Sequence, residues 1–113
     1  MDRVRSMAGY NMAMSKDERN HYDRVARLGC IACNLTGYGY SPAEIHHIKS
    51  GNAAMGKKSH YSLVIPLCYP HHRGGTYGVA VHAGKKAFEA AIGYTEVELL
   101  NKTLDLLNDN NSV

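Results

Sequence analysis

A chain of 113 residues with one Phe, no Trp and a formal net charge of +3 makes one small domain whose modest core wants a metal staple. Its three cysteines cannot all pair, which argues against a disulfide framework and for a reduced, cytoplasmic protein. No apolar run approaches the roughly 18 residues that span a bilayer, so no membrane anchor is expected.

In chain order, residues 1–15 predict a flexible arm: the Met-rich start is broken by charges and Gly9, and it carries Arg3 and Arg5. Ser15-Lys16-Asp17-Glu18 has the form of a capping box and opens a helix from Lys16 to Leu28, stopped by Gly29. A tight knuckle, Cys30-Ile31-Ala32-Cys33, leads into a loop from Asn34 to Pro42 that includes Gly37, Tyr38, Gly39 and Tyr40. Those tyrosines and Tyr61 suit base stacking or loop packing equally well. Glu44 to Ile48 and Ser62 to Leu67 are the two predicted strands, and the long connection between them is a candidate functional loop. Pro70 opens a helical turn through His71, His72 and Arg73 that Gly74-Gly75 should break. A helix from Ala83 to Ile92 ends at Gly93; a second capping box, Thr95 to Glu98, begins a last helix. Val97, Leu100, Leu104 and Leu107 predict its apolar face, for core or partner contact, and fraying is expected over residues 109–113. Residues 16–108 form the folded domain.

Cys30-x2-Cys33 and Cys68-x2-His71 supply the four soft donors of a tetrahedral Zn²⁺ site, two short-spaced pairs clamping a knuckle to a later turn. Against this stands the plainer possibility that three cysteines merely fill the core. His46, His47, His60, His72 and His82 remain. Neighbours in a strand point to opposite faces, so His46 and His47 should do different jobs: one binds a metal while the other works on a water. His71 and His72 diverge on their turn, so that the second can face a different ion from the first. No Asp or Glu lies between Ile45 and Phe88, a span with six of the seven histidines and Lys49, Lys57, Lys58, Arg73, Lys85 and Lys86. Such a field suits nucleic-acid phosphate, unless the lysines are only a solvated cluster.

Ile45-His46-His47-Ile48, followed by Pro66-Leu67-Cys68-x2-His71-His72, resembles the zinc-containing HNH endonucleases, the ββα-metal or His-Me finger group. Arg24 to Cys33, Ile65 to Cys68, His71-His72-Arg73-Gly74 and Val81-His82-Ala83-Gly84 look like the phage recombination enhancement function (Ref) nucleases, which act with RecA. The resemblance spans roughly His21 to Leu100. It implies an α+β, zinc-stapled ββα-metal domain with flanking helices, and a DNA endonuclease or nickase active in recombination. It implies that His47 is the general base and that His46, His72 and His82 hold one catalytic divalent ion, Mg²⁺, Mn²⁺, Zn²⁺ or Ni²⁺. Lys57, Lys58, Arg73, Lys85 and Lys86 would hold the DNA backbone. The family's orienting Asn is missing, with Ser62 or His60 nearest by spacing. That gap leaves a competitor, a catalytically inactive zinc-stabilised DNA-binding module; a third possibility is a second structural zinc on His46, His47, His72 and His82.

Overall fold

The computed structural model describes residues 14–48 and 60–111. Residues 1–13 of the predicted arm and residues 49–59 of the predicted functional loop, with Lys57 and Lys58, lie outside the described residues. The elements are helix α1 (Lys16–Arg27), short helix α2 (Ile31–Leu35), strands β1 (Glu44–His47) and β2 (Val64–Leu67), a π-turn (Pro70–Gly74), a 3-10 turn (Val81–Ala83), and helices α3 (Lys85–Ile92) and α4 (Glu96–Asn111). The fold is a small α+β one with a two-stranded sheet.

Helix α1 starts where the Ser15 hydroxyl accepts the Glu18 amide at 3.0 Å, satisfying one of the donors that a helix start leaves open. It ends at Gly29, which has φ 79°. A Cβ at that position would lie 2.6 Å from the Tyr40 ring and 2.9 Å from the Ser41 carbonyl oxygen, so both the left-handed backbone and the returning loop require glycine. The expected knuckle is the first turn of α2, with Cys30 as its N-cap and Cys30 Sγ accepting the Cys33 amide at 3.3 Å.

The strands run antiparallel with Glu44 opposite Leu67, Ile45 opposite Pro66, His46 opposite Ile65 and His47 opposite Val64. The Ile48 amide donates to the Leu63 carbonyl at 3.0 Å. Counting back by twos from that bonded pair puts Pro66 at a non-bonded position, where its missing N–H costs the ladder nothing. Strand β2 is buried along its whole length, with β1 beside it and α1, α2 and α4 packed against it. That position explains an unbroken apolar run in place of alternation. Strand β1 sends Glu44 and His46 to one face and Ile45 and His47 to the other.

Two expectations need correction. Helix α3 begins at Lys85 rather than Ala83, because Val81 to Ala83 close a separate 3-10 turn and Gly84 caps the helix. In α4 Val97 is 39% exposed, and the buried stripe is Glu96, Leu99, Leu100, Thr103 and Leu107. Glu96 turns inward and sets that register. The Thr103 hydroxyl donates to the Leu99 carbonyl at 2.8 Å, so its burial leaves no unmet donor. The Thr95–Glu98 capping box is reciprocal: the Thr95 amide donates to Glu98 Oε1 at 2.8 Å, and the Glu98 amide donates to Thr95 Oγ1 at 3.1 Å.

The main core joins Ile31, Ile65, Leu67, Phe88 and Leu99 to the three cysteines. A second cluster, Val25, Val64 and Leu107, takes in Tyr22 and Ile45 where α1 crosses the sheet. Among the described residues no helix is long and apolar enough to cross a membrane.

Candidate metal centres

The ligand atoms of Cys30, Cys33, Cys68 and His71 all lie within 4.8 Å of one another. His71 Nδ1 stands 3.5 Å from Cys30 Sγ, 3.6 Å from Cys33 Sγ and 3.2 Å from Cys68 Sγ, and Cys33 Sγ is 3.8 Å from Cys68 Sγ. That sulfur separation is far beyond the roughly 2.0 Å of a disulfide, and all three cysteines are free. Helix α2 contributes one pair and the end of β2 with the π-turn the other, so the cluster ties the first half of the chain to the second. Burial pushes the Cys30 thiol up to about 12, and burial holds the His71 imidazole below its ordinary value. Burial thus disfavours the charged form of both groups. Its donor set and spacing are compatible with a bound metal ion.

A second group, His46, His72 and His82, also has ligand atoms within 4.8 Å of one another. Ring centroids are 5.1 Å apart for His46 and His72, 5.4 Å for His46 and His82, and 4.6 Å for His72 and His82. His46 comes from β1, His72 from the π-turn and His82 from the 3-10 turn that packs on it. The stretch from Arg73 to Val81 does not carry His82 away, because the amides of Val79 and Ala80 fold back onto the Thr76 carbonyl at 2.9 and 3.0 Å.

Two carboxylates orient this group. His46 Nε2 lies 2.8 Å from Glu96 Oε2, with His46 8% and Glu96 4% exposed. His72 Nδ1 lies 2.8 Å from Glu44 Oε1, and Arg73 forks onto the same carboxylate from Nε at 3.0 Å and from its terminal nitrogen at 3.1 Å. A neutral ring that donates to a carboxylate carries its proton on that nitrogen, so the lone pairs are on Nδ1 of His46 and Nε2 of His72. Arg73, ahead of His72, holds the Glu44 carboxyl below its ordinary value. Burial, outweighing Glu44, lowers that of His72.

The acid-free stretch of sequence is thus not acid-free in space. Glu44 lies just before it and Glu96 after it, and both reach the histidines. Sequence reasoning missed both. The spacing of Glu44 from His46, two residues along a strand, was the one signal for the first. Glu96 had none, since acids in a helix's first turn are ordinary.

The three histidines, with Ile45, His47, Lys85 and Glu96, line a cleft of about 630 Å³. His47 Nε2 is 3.0 Å from the Tyr22 hydroxyl on α1. His60 and Ser62 hydrogen-bond to each other, Nδ1 to Oγ at 2.8 Å. Arg73 lies over the Tyr69 ring at 5.0 Å, and Lys86 lines another hollow together with Glu89 and Glu98.

Residues 14–108 match the model of a family described as recombination enhancement, RecA-dependent nuclease. No curated protein and no solved structure matches the chain.

Proposed function

The chain belongs to the recombination enhancement, RecA-dependent nuclease family, and on that premise we propose that it is a metal-dependent DNA endonuclease or nickase of the HNH, ββα-metal type. The observation that carries this reading is the convergence of His46, His72 and His82, with His47 beside them on β1, in one cleft. The succession of two antiparallel strands and a histidine-bearing turn supports the ββα-metal assignment.

In this reading neutral His47 takes a proton from a water, which attacks phosphorus in line as the bond to the 3′ oxygen breaks, leaving 5′ phosphate and 3′ hydroxyl. A divalent ion on His46, His72 and His82 would stabilise charge on the non-bridging and leaving oxygens. The nitrogen donors suit Zn²⁺ or Ni²⁺, and Mg²⁺ or Mn²⁺ become competent once phosphate oxygens complete the shell. Lys85 in the cleft, Lys86, Arg73 and the loop lysines Lys57 and Lys58 hold backbone phosphates without a base code. The physiological substrate is DNA engaged by a RecA filament, as the family description implies.

The Cys30, Cys33, Cys68 and His71 cluster would hold a structural Zn²⁺. Bonds of about 2.3 Å to sulfur and about 2.0–2.1 Å to nitrogen give a tetrahedron edges of about 3.8 Å and about 3.5 Å, close to the 3.8 Å and 3.2–3.6 Å observed.

Nicking of supercoiled, linear duplex, single-stranded and RecA-coated DNA, each with Mg²⁺, Mn²⁺, Ni²⁺ and Zn²⁺, tests the reading; activity is expected in at least one combination. A silent wild type across all of them overturns the reading in favour of an inactive zinc-stabilised module, with two chelator-resistant zinc ions per chain marking a second structural site on the histidines. One observation favours that competitor: His60 and Ser62, nearest to the place of the missing Asn, are hydrogen-bonded to each other.

Two further results are expected. Glu96→Gln removes the charge that fixes the His46 ring and should weaken the catalytic metal by about 10–100-fold, measured by calorimetric titration, while the structural metal stays bound. Zinc affinity at the cysteine cluster should rise with pH. The Cys30 thiol, at about 12 in the metal-free protein, must lose its proton on binding. Burial, which lowers the His71 imidazole below its ordinary value, works the other way and reduces any proton release from that ring. Lower pH thus favours the metal-free form, by about tenfold per unit for each proton released. Titrations in buffers of different ionisation heat count those protons; a pH-independent affinity would contradict this account.

A further inference from the structure

The face of β1 that carries His47 lies against α1, where Glu18 and Tyr22 stand one helical turn apart on the same side. The Tyr22 hydroxyl donates to Glu18 Oε2 at 3.1 Å, and the same hydroxyl oxygen is 3.0 Å from His47 Nε2. The two rings meet edge to face, with centroids 5.6 Å apart. Tyr22 is held there by packing on the Val25, Val64 and Leu107 cluster, and Glu18 by the Ser15 cap that fixes the first turn.

A phenol has a single proton. With that proton on the carboxylate, the hydroxyl can meet His47 only as an acceptor, so the hydrogen between them belongs to Nε2. From this geometry, and resting on the nuclease reading above, we infer that Glu18 and Tyr22 are positioning residues: they hold His47 as its Nε2–H tautomer and so reserve the Nδ1 lone pair for the attacking water. The carboxylate sets the direction of the relay, the phenol passes it on, and neither touches substrate. The choice of tautomer matters because a base whose proton sits on the wrong nitrogen has correct geometry and no acceptor.

The relay predicts a reversal. In Glu18→Ala the Tyr22 proton loses its carboxylate, turns to His47 Nε2 and drives the ring to the Nδ1–H form. In Glu18→Ala/Tyr22→Phe no phenol remains to do so, and the Nε2–H form returns. Two readouts follow. The ¹⁵N and ¹H correlation pattern of ¹⁵N-histidine-labelled, metal-loaded protein should show Nε2–H for His47 in wild type, Nδ1–H in the single variant and Nε2–H in the double variant. Nicking kcat should fall about 10–100-fold in Glu18→Ala and recover at least partly in the double variant, with KM for DNA and metal content unchanged throughout. A helix-stabilising role for Glu18 would give a double variant no better than the single one.

An Nδ1–H His47 in wild type, or a single variant with unchanged tautomer and kcat, overturns the inference while leaving the nuclease reading intact. A wild type with the expected tautomer but no activity under any metal removes the nuclease reading, and with it the positioning role. Should Glu18→Ala fold poorly, Tyr22→Phe alone decides the matter. It must preserve the Nε2–H form, and an Nδ1–H spectrum would refute the relay.

Discussion

His47→Ala is expected to lower single-turnover nicking by about 10²–10⁴-fold, the usual worth of a positioned general base, while both metals, DNA binding and the unfolding midpoint stay near wild type. The side chain is exposed, on the strand face away from His46, so its removal opens no cavity in the core and breaks no ligand set. His46→Ala must behave differently. It takes away a proposed ligand and the 2.8 Å contact that His46 makes with the buried Glu96 carboxylate, so activity, metal content and stability should fall together. The contrast between neighbours in sequence is the informative measurement. Equal losses of metal in both variants, or nicking by His47→Ala within a few-fold of wild type, would remove His47 from the role of base.

The contrast traces back to how much a strand reveals in sequence. Alternation along β1 separates the two histidines by sequence position alone, and short spacings join the cysteine pairs, because both rules act over a few residues. The carboxylates needed longer reach. Glu96 is fifty residues from His46, in a capping box whose signature explains Thr95 and Glu98 and says nothing of the two residues between. Its inward turn is legible only once α4 lies against β2, and the same turn displaces Val97 from the apolar face its spacing suggests. Tyr22 is a comparable case. Helical periodicity marks it as a packing residue, which it is, yet its hydroxyl reaches His47 across the α1–sheet contact. The clustering of the doublets and pairs was therefore legible in sequence, and the partners supplied singly by other elements were not.

Cys68→Ala should have the largest effect on the fold. Apparent binding free energies of about 10–16 kcal/mol for structural zinc in small domains rival or exceed the total stability of about 5–15 kcal/mol typical of a domain, and this core has one Phe and no Trp to offset the loss. Removing one thiolate leaves Cys30, Cys33 and His71 among buried Ile31, Ile65 and Phe88, with the His71 ring centroid 6.2 Å from that of Phe88. Three donors cannot hold the ion as tightly, and the pair on α2 is no longer fastened to the pair that follows β2. His71 and His72 are adjacent on one π-turn, so the same substitution also releases the turn that places His72 beside His46 and His82. The variant should retain neither metal and show no cooperative thermal transition, measured by metal content per chain and by near-ultraviolet circular dichroism. Wild type under increasing chelator should lose metal in two stages: first an ion whose departure stops nicking and leaves the fold intact, then an ion whose departure unfolds it. A Cys68→Ala protein that unfolds cooperatively at the wild-type midpoint would show that the cluster is core packing alone, because only a cluster holding an ion makes one thiolate worth the whole fold.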